Sequence, residues 1–442
     1  MSAPVDRSYR ALLGIPDLAR IVASMQLARV AQSMVGVAIV LFALAEYGSP
    51  ALAGLVTFAT VFPGLVVSPI AGALLDRHGR IRLIVADYLV ALVALALIGL
   101  LAHADLLPAW LLVAIAVVSS LTSILSHTGV RSLFPILVPE PLWERANALD
   151  SNGYVVATIL GPPLAASLVA LVGGASALIV IGALFGVAAL VLVGTNDPPT
   201  VPASSGRLLV DAWRGLVYTW RNRTLRGLGF SISTLNLAGG MTTIVVPLIV
   251  LDRLRAGEAV VGLVFAASGL AGMASTFAFG RLDSRGREWP MLVLPMIAMA
   301  PAAALLLVAA DPPGGNATLG IAFAAAALGT VGLLNGPLDI ALFTVRQRRT
   351  DPAWMGRAFA VSMAFNFVGY PVGAALAGTV AERSIEASIW IGVAACLAAA
   401  VLAATLVPRH APARSAGGSD RSATSNGDPA SSGRAGETAT GG

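Results

Sequence analysis

Gly72-Ala-Leu-Leu-Asp76-Arg77-His-Gly79-Arg80-Ile-Arg82 lies between two long apolar runs, and Gly280-Arg-Leu-Asp283-Ser-Arg285-Gly286-Arg287 lies between two others far down the chain. The shared core Asp-x-x-Gly-Arg starts at Asp76 and again at Asp283, at the equivalent place in each half of the hydrophobic pattern, which marks an internal duplication of a helical unit. Each part has a local logic. Glycine permits a tight turn or close helix approach, an aspartate is favoured beside a helix N-terminus, and arginines hold the loop on one side of a membrane. Such a loop latches two helices in one conformation and releases them in another. Gly72, Asp76, Arg77, Gly79 and Arg80, with Asp283, Gly286 and Arg287 in the second copy, are therefore the expected conformational switch.

Working outward from these loops, apolar runs fall at about 21–45, 51–75, 83–103, 109–130, 149–173 and 174–194, and again at 227–251, 259–280, 289–310, 317–344, 357–381 and 385–407. Each has roughly the 20 residues that a membrane helix needs. The first ends in Ala43-Leu44-Ala45, superficially a signal-peptidase site, but it is longer than the roughly 7–15 residues of a signal core and reads as a retained span. Of 442 residues, 57% are hydrophobic and 12% charged, with a mean hydropathy of +0.83. A soluble domain carries about 25% charged residues, so an ordinary soluble enzyme is excluded. The expected fold is an all-α membrane protein of 12 transmembrane helices in two pseudo-symmetric six-helix bundles. Its parts are a stub at 1–20, a first bundle at 21–194, a linker at 195–226, a second bundle at 227–407 and a tail at 408–442. The tail is rich in Gly, Ser, Ala and Thr and is expected to be disordered.

All 28 basic residues are arginine. Of these, only Arg253, Arg255 and Arg383 fall in loops on the side opposite the termini, and Arg29 lies within a span; by the positive-inside rule the termini and linker are expected to be cytoplasmic. The arginines are membrane-topology signals rather than a nucleic-acid footprint. Within the linker, Leu208, Leu209, Ala212, Trp213, Leu216 and Trp220 recur at helical spacing among Arg207, Arg214, Arg221, Arg223 and Arg226, the pattern of an amphipathic helix lying on a membrane face. Cys396 is the single cysteine, and His78, His103, His127 and His410 are scattered, so neither a disulfide nor a metal or cofactor site is expected.

The Gly72 to Arg82 segment resembles the signature loop of the major facilitator superfamily, degenerate in the second half, and the resemblance extends from about Pro16 to Pro408. Pro135-Ile-Leu-Val-Pro139-Glu-Pro-Leu-Trp-Glu144-Arg145 and Arg346-Gln-Arg-Arg-Thr-Asp351-Pro-Ala-Trp-Met-Gly356-Arg357 resemble the macrolide-efflux and enterobactin-exporter branch of drug and siderophore exporters. Gly161-Pro162-Pro163 in span 5 is similar to the core of the antiporter motif of drug/proton exchangers, although Ala165-Ala166 stands where that motif continues Gly-Gly. The resemblance implies a multi-pass transporter of the bacterial inner membrane, moving a small-molecule substrate and protons by alternating access, without a catalytic role. Proton-coupled export of a small amphipathic compound leads; a symporter or uniporter for uptake, and a transporter-like sensor, are the alternatives. Nothing in the sequence points to an oligomer, and a monomer in the lipid bilayer is expected.

An ionisable group inside a span costs about 2.5–3.5 kcal/mol on insertion scales and is a functional candidate by default. Arg29 in span 1, Asp87 in span 3 and Asp339 in span 10 are the proton-coupling candidates, with Arg29 placed to reach toward Asp87. Gln26, Asn236, Asn335 and Asn366 are the candidate cavity-lining residues. Gly161, Pro162 and Pro371 are the expected helix kinks. Asp76→Asn is expected to slow transport several-fold while leaving membrane insertion intact, because it removes the anionic part of the latch; transport rate per inserted molecule checks this.

Overall fold

The computed structural model describes residues 8–197, 208–279, 286–351 and 354–409. Asp283 and the tail from 410 lie outside the described residues, as do the side chain of Asp76 and those of 208–212 and 355–360. Spans 1–6 are Leu18–Tyr47, Pro50–His78, Arg80–His103, Ala109–Leu137, Trp143–Val172 and Gly174–Leu192. The linker helix is Leu208–Arg221. Spans 7–10 are Arg223–Leu248, extended by a wide turn at Ile249–Arg253, then Glu258–Phe279, Glu288–Ala310 and Ala317–Arg348. Span 11 is Met355–Phe367 followed by Gly369–Ala381, and span 12 is Ile385–Leu406. Among the described residues, 12 helices are long and apolar enough to cross a membrane.

The helix starts are written in the sequence. Ser49, Asn222, Asn316 and Ser384 each accept a hydrogen bond from the backbone N–H groups of the turn that follows, which satisfies donors that helix geometry leaves orphaned. Pro50 follows Ser49 at the first helical position, where its missing N–H costs nothing.

The duplication is visible in the packing. Span 1 lies on spans 5 and 6, span 2 on span 4, and span 3 on spans 4 and 6. The second half repeats every pair six spans later: 7 on 11 and 12, 8 on 10, 9 on 10 and 12. The halves meet through two further pairs, span 2 with span 11 and span 5 with span 8, which are also related by the repeat. Small residues set how closely they meet. Gly54 of span 2 abuts Ala374 and Gly378 of span 11, and Gly262 of span 8 abuts Pro163 and Ala166 of span 5. Ser49 Oγ, at 3.1 Å, and the Ala51 amide, at 3.4 Å, both donate to Glu382. All of these contacts lie toward the membrane side opposite the linker.

Gly239 and Gly240 separate two demands on one turn of span 7. A Cβ on Gly239 would meet nothing within 4 Å, whereas one on Gly240 would collide with the Tyr370 carbonyl of span 11. Gly240→Ala is therefore expected to lower stability by about 1–3 kcal/mol, and Gly239→Ala to be neutral or to stabilise by about 0.5–1 kcal/mol. Thermal unfolding of the two purified variants in one detergent decides it.

Candidate functional site

Arg29 stands near the middle of span 1, and its partner is on span 5. One guanidinium nitrogen donates to the Asp150 carbonyl at 2.7 Å and the other to the Asp150 carboxylate, while the guanidinium lies 3.8 Å from the centre of the Tyr154 ring. Asp150 and Tyr154 are four residues apart and so share one helix face. Both charged residues are buried, at 8% exposure each. This corrects the expected Arg29 pairing with Asp87. Span 5 lies directly on span 1, whereas Asp87 on span 3 faces span 4, where the hydroxyls of Thr122 and Ser126 donate to its carboxylate. Asp150 thus takes the place beside Arg29 that sequence reasoning gave to Asp87, and the spacing to Tyr154 was the signal available for it.

A cavity of about 20 Å³ opens beside the pair, lined among others by Arg29, Gln32, Tyr88, Ser126, His127 and Tyr154. It has room for about one water molecule. Half-buried Gln26 packs on Gly153 and donates to the Leu149 carbonyl at 3.4 Å, and its side-chain oxygen is buried without a partner among the described residues. The first bundle therefore holds a connected polar face across spans 1, 3, 4 and 5.

In the second bundle the polar residues tie helices together. Asn236 on span 7 donates to the Asn366 carbonyl on span 11 at 2.8 Å, and Thr243 meets the Tyr370 hydroxyl at 3.1 Å. Asn366, with its amide oriented by the surrounding network, accepts from Arg346 on span 10. Arg346 is completely buried, donates to Met363 Sδ at 2.7 Å and lies 5.7 Å from the Phe343 ring centre. Sequence reading placed Arg346 in a loop; the structure continues span 10 past it to Arg348. Asn335 is half-buried on the same span, and Asp339, one turn on, is exposed.

The prolines act through the carbonyls they leave free. Pro337 cannot donate to Leu333 four residues back, and Ser275 Oγ of span 8 fills that vacancy. Pro371 likewise leaves the Phe367 carbonyl, and span 11 breaks at Val368. Span 5, by contrast, continues unbroken through Pro162 and Pro163, so Gly161-Pro162-Pro163 appears as a contact surface rather than a break: Gly161 meets Ser33 of span 1, and Pro163 meets Gly262. Ala165 and Ala166 are wholly buried there.

At the first switch loop Gly79 has φ +90°, a left-handed value that glycine tolerates, and Arg77 is exposed. The acid at the N-terminus of span 3 is Asp197 from the start of the linker, which accepts from the Arg80 amide at 3.1 Å. Sequence reasoning missed Asp197 because it lies in a segment that reads as turn chemistry. In the second copy Gly286 has φ +76° and Arg287 is exposed just before span 9.

The profile of the Major Facilitator Superfamily matches residues 22–369 and 228–433. The chain belongs to this superfamily. It is a multi-pass membrane transporter rather than an enzyme, and small molecules are its substrates. Over 407 residues it is 34% identical to the MFS-type transporter y4rN of Sinorhizobium fredii, covering 92% of this chain and 98% of that one. Over 370 residues it is 26% identical to the multidrug efflux pump Tap of Mycobacterium tuberculosis, covering 79% of this chain and 84% of Tap. The fold is shared with the nucleoside transporter NupG, at TM-score 0.69 and 12% identity over 88% of this chain and 99% of that one. A bacterial homologue of the lysosomal transporter Spinster, in an inward-facing and occupied conformation, has TM-score 0.67 and 14% identity over 90% and 97%.

Removing one member of a buried ion pair strands the other, at about 3–5 kcal/mol, whereas removing both is often near neutral. Arg29→Met and Asp150→Asn are each expected to lower the unfolding temperature of the transporter markedly, and the double variant to recover most of the loss. Equal and additive losses would show that the pair contributes little coupling.

Proposed function

We propose that this transporter exports a small amphipathic compound from the bacterial cytoplasm in exchange for protons. The observation that carries the reading is the polar face of the first bundle, where Asp150 and Asp87 are buried carboxylates beside a water-sized cavity. A carboxylate within the membrane is costly unless it is paired or neutral, so protonation of Asp150 releases Arg29 and lets the face rearrange. Asp339, exposed on span 10, is the corresponding group on the second bundle. The similarity to Tap, a multidrug efflux pump, supports export of an amphipathic solute, as does a polar inventory poor in the fixed charges that sugars or phosphate esters call for.

The linker side is the cytoplasmic side on this reading, since it carries most of the arginines. The contacts of Gly54, Gly262 and Glu382 then seal the external side, and the conformation is one that receives substrate from within. Loading a lipophilic solute at this stage and releasing it after the seal opens is the order that export needs.

Cells expressing the transporter and loaded with a hydrophobic cationic dye test the reading. We expect dye to stay low only while the proton gradient stands, and to rise to the level of non-expressing cells when a protonophore is added. Asp150→Asn and Asp87→Asn are each expected to reduce gradient-driven efflux at least tenfold if that carboxylate carries the proton; full efflux in either variant reassigns it to structure. Dye levels that ignore the transporter altogether overturn export of this solute class.

A further inference from the structure

We propose that the linker helix is a docking site for acidic phospholipid headgroups of the membrane leaflet on its own side. The residues divide cleanly around its axis. Gly215 and Thr219 are buried against the protein, and the helix contacts span 2 of the first half and spans 7 and 11 of the second. Trp213, Leu216 and Trp220, at 64%, 43% and 53% exposure, form a second, largely open face. Arg214 and Arg221, seven residues apart and both exposed, flank that face, and Arg223 follows directly at the start of span 7.

The occupant follows from where this face leads. The Trp220 ring lies edge-on to Phe230, two turns into membrane span 7, with centroids 5.9 Å apart, and the Arg226 guanidinium donates to the Trp220 carbonyl at 3.3 Å. The apolar face of the linker helix thus adjoins the linker-side end of span 7, a position along the span where tryptophan is favoured and arginine meets headgroups. Among the described residues the exposed charges beside this face are arginines, so the complementary headgroup is anionic.

The helix is also tied to the connection between spans 10 and 11. Tyr218 stacks on Trp354, at 5.0 Å and 8° between planes, and its hydroxyl accepts from the Asp351 amide at 3.0 Å. Asn222 donates to the Arg349 carbonyl at 3.1 Å. The helix therefore holds the connection between spans 10 and 11, and a lipid that seats it steadies that connection. This inference is independent of what the transporter carries or in which direction.

The test uses the full chain in nanodiscs of phosphatidylcholine doped with phosphatidylglycerol, with bromine on the acyl chains of one lipid or the other. The signal is the fluorescence lost between wild type and a Trp213→Phe/Trp220→Phe variant, which isolates these two indoles. We expect brominated phosphatidylglycerol to quench it several-fold more strongly than brominated phosphatidylcholine. Arg214→Gln/Arg221→Gln is expected to bring that preference most of the way to equal quenching, with unchanged elution on gel filtration showing that the variant is folded. Equal quenching by the two lipids, or a preference unaffected by the arginine substitutions, overturns recognition of acidic headgroups. Absence of quenching by either lipid overturns membrane docking and leaves the face to a protein partner.

Discussion

Hydrocarbon offers no hydrogen-bond partners, so every backbone carbonyl in a span must be satisfied from within the protein. That constraint forces the twelve helices, and it also makes each interruption of a helix informative. Pro337 removes a donor from span 10, and Ser275 on span 8 supplies the missing hydrogen bond to Leu333. Span 10 can therefore carry a proline next to Gly336 and still pack tightly on span 8. Span 11 instead divides three residues before Pro371, at Val368, and its two segments become separate elements. The same rule governs the charges: Arg29 is tolerated because Asp150 and Tyr154 meet it, and Arg346 because Met363 and Asn366 do.

Because a bilayer is as apolar as leucine, spans gain little from hydrophobic burial against each other and depend on close approach instead. The two halves meet through Gly54, Gly262 and Gly378. The antiporter-like motif makes sense on these terms. Gly161-Pro162-Pro163 is followed by Ala165 and Ala166, larger than the glycines that the resemblance leads one to expect, and the missing space is supplied by Gly262 across the interface. Helix contact depends on the sum of the two surfaces, so a glycine can move from one partner to the other without loss of proximity.

The number of spans, the duplication and the amphipathic linker were legible because each rests on a period or a composition that survives any tertiary arrangement. Hydropathy located span 1 between 21 and 45, and the helix runs from Leu18 to Tyr47. Partnerships were less legible. Arg29 has buried carboxylates within one bundle on two different helices, and which of them it meets depends on helix rotation, set by packing of small side chains such as Gly153 and Gly161 against Gln26 and Ser33. Asp197 escaped for a different reason: a residue outside the spans reached back to cap one of them, and no local period announces a contact between positions 80 and 197.

The linker brings these strands of argument together. Its first residues, through Asp197, hold the N-terminus of span 3 beside the first switch loop, while its helix, through Tyr218 and Asn222, holds the connection into span 11. Span 11 is one of the helices that packs against the other half on the far side, and Glu382 at its end receives the hydrogen bonds of Ser49 and Ala51. One element thus touches both halves on the linker side, and one of the helices it touches packs against the other half on the opposite side. In a rocking molecule, closing one side requires opening the other, and a segment tied to both halves must change its contacts with at least one of them. On the alternating-access reading proposed above, the linker is a part of the mechanism rather than a passive tether between two bundles.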